Sequence, residues 1–212
     1  MKQYWITSLL LLFLLPASSL LAQQGEVKVN LGYTIGLPLG DFKTNYIPNA
    51  SPRGFMGDLS YGINNRWAIG LGFGYQDFYH QYDRTVYDLA SNKQISAVLT
   101  NSIQTVPLIA KVSFTPMQGT VHLIQPYLSA GAGISLLTFH QYLGEFSADD
   151  NRTKAKFTAM ADAGFIVPFH KRDTNTGFQL GVSYNYTRFG QPDAANLNTV
   201  GIHAGLVFQL HN

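Results

Sequence analysis

Apolar and polar residues alternate one by one in eight stretches of the chain. Successive side chains of a β-strand point to opposite faces, so this alternation predicts strands with one apolar face and one small or polar face. The last stretch is the clearest example, with Val200, Ile202, Ala204, Leu206, Phe208 and Leu210 on one face and Gly201, His203, Gly205, Val207 and Gln209 on the other. The predicted strands are 26–37, 54–62, 67–76, 103–114, 126–138, 157–169, 178–187 and 200–210.

The connections between the predicted strands alternate between short and long. Ile63-Asn64-Asn65-Arg66 predicts a tight hairpin turn, because Asn tolerates the positive φ that such turns require. Residues 36–42 form a turn-rich exit from the first strand, and the polar stretches 43–53, 77–102 and 190–199 are predicted to be loops. Pro107 cannot donate a ladder hydrogen bond, so a local irregularity is expected there. No long stretch shows helical periodicity.

The charged residues favour a membrane barrel over a soluble one. None of the residues on the predicted apolar faces is charged, whereas the opposite faces carry Lys28, Asp58, Lys111, Asp162 and His203. A lipocalin-type barrel has the reverse polarity, and in water this chain would expose far more apolar surface than a soluble monomer tolerates. In a bilayer the apolar face is required, and each outward charge at mid-bilayer would cost roughly 2–4 kcal/mol. The sequence therefore predicts an eight-stranded antiparallel transmembrane up-and-down β-barrel.

Most aromatic residues on the apolar faces fall into two groups, as expected for the two membrane interfaces, although Phe73 and Phe165 belong to neither group. The group near the short turns is Tyr61, Trp67, Phe114, Phe169, Phe178 and Phe208, and the group near the long loops is Tyr33, Phe55, Tyr75, Phe157, Tyr184 and Tyr186. The short turns are predicted to face the periplasm and the longer loops the outside.

The inward charges predict a filled interior. An eight-stranded barrel is just wide enough for side chains to fill, and buried charges must pair. Lys28 and Lys111 balance Asp58 and Asp162, with His203 beside them. We therefore predict an interior salt-bridge and hydrogen-bond cluster of these five residues rather than a pore.

Composition agrees with this fold, and the N-terminal residues predict a signal peptide. Charged residues make up 12% of the chain, against the ~25% usual in soluble proteins. There is no cysteine, and the net charge of +2 gives no sign of a nucleic-acid partner. Lys2, the apolar run 6–15 and the small residues 17–19 predict a signal peptide over 1–22, cut after Ala22, before a barrel domain over 23–212. The alternative, a retained anchor helix, is disfavoured by the short run and by Pro16.

Several residues are candidates for sites of chemistry. His203 is interpreted as a structural residue that bonds an interior Ser or Asp, rather than as a catalytic base. The loop residues Asp77, His80, Asp83 and Asp88 could bind a divalent cation through oxygen ligands, but their spacing favours a solvated loop, as it does for 149–150. The Gly-x-Gly runs lie within strands and open no helix, which argues against a dinucleotide site. We predict no catalytic, metal or cofactor-binding residue and no cofactor.

Three short motifs carry a resemblance to a known family. Residues 36–42 (GLPLGDF), 106–108 (VPL) and 126–133 (PYLSAGAG) resemble the outer-membrane β-barrel domain family common in Bacteroidota. The resemblance implies an integral protein of a Gram-negative cell outer membrane, inserted by the outer-membrane assembly machinery. That machinery reads an aromatic-ending final strand, whereas here Phe208 is followed by 209–212. Expected partners are outer-membrane lipids, lipopolysaccharide and a protein bound through the loops.

Function is less constrained than fold. The first hypothesis is a non-enzymatic envelope or surface-interaction role, such as adhesion or binding of lipopolysaccharide or a partner. The alternatives are an accessory barrel of a protein secretion apparatus, a lipid A-modifying enzyme that uses His with Ser, and a small-solute pore. The filled interior disfavours the pore.

Overall fold

The computed structural model describes residues 25–89, 93–117, 124–144, 146–147, 153–169, 176–191 and 193–210. The predicted signal peptide over 1–22 and the loop pair 149–150 lie outside these residues, as does the side chain of Asp88. The described part of the chain contains no helix with the length and hydropathy needed to span a bilayer.

The described residues form eleven strands and one short helix. In chain order these are β1 (Val27–Leu39), α1 (Gly40–Asn45), β2 (Ser51–Gly62), β3 (Trp67–Gln81), β4 (Thr85–Leu89), β5 (Lys93–Ala97), β6 (Leu99–Phe114), β7 (Gln125–Leu143), β8 (Phe146–Ser147), β9 (Lys154–Pro168), β10 (Gly177–Gln191) and β11 (Ala194–Leu210).

Eight of the strands close into a barrel. They pair in the order β6-β3-β2-β1-β11-β10-β9-β7, and β6 pairs with β7 to complete the ring. Every pairing is antiparallel, and the seam between β1 and β11 runs without a shift from Val27↔Leu210 to Leu39↔Asn198. The predicted eight-stranded antiparallel barrel is therefore confirmed. Closure matters in a membrane because it leaves no strand edge with unpaired backbone groups facing lipid.

The predicted turn between β2 and β3 is also confirmed. The side-chain oxygen of Asn64 accepts hydrogen bonds from the backbone N–H groups of Arg66 and Trp67, both at 2.9 Å. We call this end of the barrel the turn end, and the opposite end, which carries α1, the loop end.

Two of the predicted loops are wrong. The stretch 77–102 contains the end of β3, the β4–β5 hairpin and the start of β6, and 190–199 lies mostly in a tight β10–β11 hairpin where Gln191 pairs with Ala194. Gly190, with φ 72°, supplies the left-handed residue at that hairpin. The sequence hides these strand ends because the pattern inverts beyond the membrane. There the outward side chains become polar, while inward side chains such as Phe78, Ile103 and Phe189 become apolar.

The outward face of the barrel carries a continuous apolar belt, which we define as the outward rows between Trp67 and Tyr75 on β3 and their neighbours around the ring. Leu71, near its middle, is 53% exposed. Trp67 to Tyr75 spans nine residues of β3, which fits the ~9–11 residues of a tilted membrane strand. The predicted apolar face is confirmed, and outward charges such as Arg53, Asp77 and Arg188 begin only beyond it.

Pro107 causes the expected irregularity. The β3–β6 ladder lacks partners between Phe73↔Leu108 and Gln76↔Thr105, opposite Pro107, while Pro107↔Ser135 is retained in the β6–β7 ladder. The proline thus interrupts one ladder and leaves the other unbroken.

Candidate functional site

The barrel interior is the candidate site, and two groups of side chains fill it. The first, which we call the ionic layer, consists of Asn30, Asp58, Lys111, Tyr127, Ser129, Asp162 and His203. The second, which we call the plug, lies at the loop end and consists of Phe42, Tyr46, Ile47, Phe78, Ile103, Leu137, Phe189, Ala194 and Leu197.

A buried ion pair forms one half of the ionic layer. Lys111 Nζ lies 2.6 Å from Asp58 Oδ1, and the two side chains are only 5% and 8% exposed. Asn30 Nδ2 donates to the second carboxylate oxygen of Asp58 at 3.0 Å. Lys111 and Asp58 meet across β3 because Gly72 lies between them: a Cβ there would be 3.2 Å from the Asp58 carboxylate. The small residue on the middle strand therefore lets the charged side chains of its neighbours pair.

Four polar side chains form the other half. Tyr127 Oη lies 2.9 Å from His203 Nε2 and donates to Asp162 Oδ1 at 3.3 Å. His203 Nε2 is 3.5 Å from the same carboxylate oxygen, and Ser129 Oγ donates to Asp162 Oδ2 at 3.5 Å. All of these groups are buried. The cluster holds a carboxylate among three neutral or weakly basic neighbours instead of beside a lysine.

The predicted interior residues therefore come together only in part. Asp58, Lys111, Asp162 and His203 are buried within the barrel, and Lys111 pairs with Asp58. Lys28 instead lies nearer the turn end, where its Nζ is 3.6 Å from Glu26. The structure thus differs from the predicted pairing of two lysines with two aspartates, because His203 occupies the place beside Asp162.

Two cavities flank the ionic layer. The lower one, about 70 Å³, opens toward the turn end and is lined by Lys28, Lys111 and Gln125 among others. The upper one, about 100 Å³, lies between the layer and the plug. Its walls include the fully buried Ser135, whose hydroxyl has no protein hydrogen-bond partner within the described residues. A site for one water needs ~10–15 Å³ by this measure, so the upper cavity has room for several waters.

The plug closes the loop end with aromatic and aliphatic side chains. Phe42 and Ile47, from α1 and the segment after it, are 0% exposed. Phe42 packs edge-on against Phe78 at 5.5 Å, and Tyr46 packs edge-on against Phe189 at 5.1 Å. Edge-to-face pairs at such distances contribute about 0.5–1.5 kcal/mol each beyond the area they bury.

Hydrogen bonds hold the α1 segment in the barrel mouth. The backbone carbonyl of Tyr46 accepts from Tyr82 Oη at 2.9 Å and from Asn101 Nδ2 at 3.2 Å. Asn45 Nδ2 donates to the backbone carbonyl of Asp193 at 2.7 Å. These contacts join the segment to β6, to the β10–β11 hairpin and to the residues that follow β3. The mouth is therefore closed by an element fixed to several parts of its rim.

Sequence reasoning missed the plug. It predicts a turn-rich segment at Phe42 and a polar loop at Tyr46 and Ile47, although the sequence carries two signals of the plug. Phe42 and Tyr46 are four residues apart, the spacing of neighbours on one helical face, and the apolar Ile47 follows them. In addition, Phe78, Ile103 and Phe189 continue the inward parity of their strands with apolar side chains, which marks a second, apolar zone of the interior.

The candidate cation ligands of the long loops do not converge. Asp77 pairs with Arg53 at 3.3 Å, and His80 Nδ1 lies 3.1 Å from Asn49 Nδ2. Across the part of the chain that the structure describes, no group of three or more His, Asp or Glu side chains is arranged to hold a metal ion.

An apolar belt outside a closed, polar-lined and plugged cylinder defines an integral membrane β-barrel. Comparison with family models identifies the family of this barrel. Residues 7–209 match the outer membrane protein beta-barrel domain, and the chain belongs to that family. It is accordingly an integral protein of the outer membrane. A comparison with curated proteins finds no match to this chain.

Solved structures of small outer-membrane barrels are similar in fold. Ail, the attachment invasion locus protein of Yersinia pestis, solved with the heparin analogue sucrose octasulfate, is 20% identical, with 88% of this chain and 100% of that chain covered and a TM-score of 0.48. Neisserial surface protein A is 14% identical over 89% and 98%, with a TM-score of 0.47. OprG of Pseudomonas aeruginosa is 15% identical over 89% and 97%, with a TM-score of 0.45.

Proposed function

We propose that this protein is a non-enzymatic outer-membrane barrel with an envelope and surface-interaction role, whose loop end faces the outside of the cell. The observation that carries the proposal is the double closure of the interior. The Lys111–Asp58 pair blocks the middle of the barrel, and the plug blocks its loop end. A barrel closed at two levels offers its outer surface and loops, rather than its lumen, for function.

Conductance in planar bilayers tests the closure. The refolded protein is expected to give no steady channels. Sustained single-channel openings of the wild-type protein would refute the proposal and return the small-solute pore as its role. A porin reconstituted in the same bilayers provides the control for insertion and detection.

Orientation can be tested by cysteine labelling, because the chain has no cysteine of its own. Asp41→Cys lies at the exposed start of α1 and Asn65→Cys lies in the turn between β2 and β3. In intact cells a membrane-impermeant maleimide is expected to label the first and to spare the second until the outer membrane is opened. Labelling in the opposite order would overturn the proposed orientation.

The mass of protein purified from cells tests whether the N-terminal leader is removed. We propose that residues 1–22 are a signal peptide and that the mature chain begins at Gln23. Mass spectrometry of protein from the membrane fraction should give a mass that starts there, and an intact N-terminus would contradict it. The Bacteroidota affiliation likewise remains a proposal, supported by the motifs at 36–42, 106–108 and 126–133.

The burial of His203 supports a non-enzymatic role. Its side chain is 3% exposed and faces Tyr127 and Asp162 inside the barrel, so acyl chains in the surrounding membrane cannot reach it. Deleting the gene is expected to leave the mass spectrum of lipid A unchanged. Loss or gain of an acyl chain would instead support the lipid A-modifying alternative, and stoichiometric recovery of a secretion component in mild detergent would support the export alternative.

A further inference from the structure

The outward surface changes character at one level across three neighbouring strands. Val106 on β6 pairs with Leu136 on β7, and Tyr75 lies at the same level on β3; this is the last row of the apolar belt. The next outward row consists of Asp77, Gln104 and Thr138. Because β3, β6 and β7 all continue beyond this boundary, the wall that faces lipid tails extends into the polar zone of the membrane.

Two more outward rows follow, and they form what we call the headgroup face. The first row is Tyr79, Ser102 and His140, and the second is Gln81, Thr100 and Tyr142. At ~3.4 Å per residue and a tilt of about 40°, the second row stands about 15 Å above the last apolar row. Phospholipid headgroups extend only about 5–8 Å beyond the hydrocarbon on each side. The headgroup face is therefore taller than a phospholipid headgroup.

The chemistry of the face is aromatic and hydrogen-bonding. Tyr79 and Tyr142 are 43% and 37% exposed. The rings of His140 and Tyr142 lie nearly parallel, 10° apart with centroids separated by 6.2 Å. Flat aromatic surfaces beside hydroxyl and amide groups suit sugar rings, which present C–H faces together with hydroxyl groups.

A cation stands at the edge of this face. The Arg53 guanidinium lies 5.5 Å from the centre of the Tyr79 ring and 3.3 Å from Asp77, while its side chain remains 61% exposed. Guanidinium groups bind phosphate through paired hydrogen bonds. Phosphate and sugar are the two chemical components of a glycolipid headgroup.

We propose that the headgroup face, with Arg53 at its edge, binds the phosphorylated saccharide core of lipopolysaccharide in the outer leaflet. The proposal rests on the outward orientation of the loop end given under the proposed function. The position of the face indicates what binds there. The face extends the lipid-facing belt on the same three strands, so the lipid molecule that covers the belt also lies against the face. Its height selects a glycolipid over a phospholipid, and its aromatic and polar side chains match sugars.

Binding in detergent micelles tests this assignment without reference to orientation. The full-length mature barrel is titrated by native mass spectrometry with core-bearing lipopolysaccharide, with lipid A that lacks the core, and with phosphatidylglycerol. We expect tighter binding of the core-bearing form. The double variant Tyr79→Ser/Tyr142→Ser should weaken that binding about tenfold, the scale of losing two aromatic contacts, and should leave lipid A binding unchanged.

Asp41→Ser/Lys43→Ser provides the matched control, because both residues are exposed on α1 at the same end of the barrel but away from the outer wall. It should bind all three lipids as the wild type does. If the tyrosine double variant does not fold, Thr100→Ala/Ser102→Ala on the same two rows replaces it, with a weaker loss in the same direction.

Equal affinity for lipid A and core-bearing lipopolysaccharide, or unchanged binding by the tyrosine variant, would overturn the proposal. A dimer that disappears in that variant would assign the face to a second copy of this chain and would also overturn it. The orientation and the headgroup face are tested separately. Reversed cysteine labelling in cells refutes the orientation, whereas equal binding of lipid A and core-bearing lipopolysaccharide in micelles refutes the headgroup face.

Discussion

At the scale of single residues, the interior depends on charges that cannot reach water. Lys111 and Asp58 are both buried and 2.6 Å apart. A buried pair of this kind adds little net stability over an apolar pair of the same shape, because desolvation offsets the attraction. Removing one member is different, since it leaves the other charge buried without its partner. The fold therefore depends on having both residues or neither.

Lys111→Met tests this dependence. It should lower the free energy of unfolding by about 3–5 kcal/mol, because the Asp58 carboxylate is left without its cation. Urea unfolding in lipid vesicles or heat-modifiability on a gel measures the change. Adding Asp58→Leu to the variant should recover most of the lost stability. Lys43→Met, on the exposed surface of α1, is the control and should cost under about 1 kcal/mol. An unchanged unfolding midpoint for Lys111→Met would show that the pair is dispensable.

Gly181→Ala tests the other half of the ionic layer. A Cβ at this position would overlap the Tyr127 hydroxyl and lie 2.6 Å from His203 Nε2 and 2.9 Å from the Ala163 carbonyl. Such overpacking should cost about 1–3 kcal/mol. Gly62→Ala is the matched control, because its nearest neighbour would be 3.6 Å away. Equal unfolding midpoints for the two variants would contradict the close packing around Tyr127.

At the scale of elements, the strands can be predicted from the sequence where they cross the membrane but not where they extend beyond it. Within the bilayer, lipid on one side and a polar interior on the other force strict alternation, so strands such as β3 and β11 could be predicted from the sequence. Beyond the bilayer the outward side chains become polar and inward ones such as Phe78, Ile103 and Phe189 become apolar, so the sequence predicts loops for the ends of β3, β6 and β10. The charged residues of the ionic layer can be predicted from the sequence, but their pairs cannot: the place of His203 beside Asp162 depends on the register of distant strands.

The plug is the element whose removal should have a local effect. Phe42→Ala/Ile47→Ala removes two fully buried side chains from the α1 segment, while the barrel ladders keep their hydrogen bonds. We expect the segment to open without global unfolding. A cysteine placed at Ser135, in the upper cavity, should then react with a small water-soluble thiol reagent at least about tenfold faster than it does behind an intact plug, the change that follows when the free energy of opening falls by ~1.4 kcal/mol or more.

Lys43→Ala behind the same Ser135→Cys reporter provides the control, because Lys43 lies on the exposed side of α1. Its reaction rate should match that of the reporter alone. If the plug variant also reacts at that rate, the cavity is reached by another route, and the plug is not what closes it.

At the scale of the whole molecule, the barrel must match the thickness of the membrane it spans. The cost of a charge on the outer wall should therefore depend on height rather than on exposure alone. Leu71→Arg places a cation near the middle of the belt and should cost about 2–4 kcal/mol. Thr85→Arg places the same cation on an exposed residue of the β4–β5 hairpin beyond the loop end and should cost within about 0.5 kcal/mol, as for an ordinary surface change. Equilibrium unfolding in vesicles compares the two variants. Equal costs would mean that the belt does not lie in hydrocarbon. Neither the outward placement of the apolar residues nor the height assigned to the headgroup face would then have a physical basis.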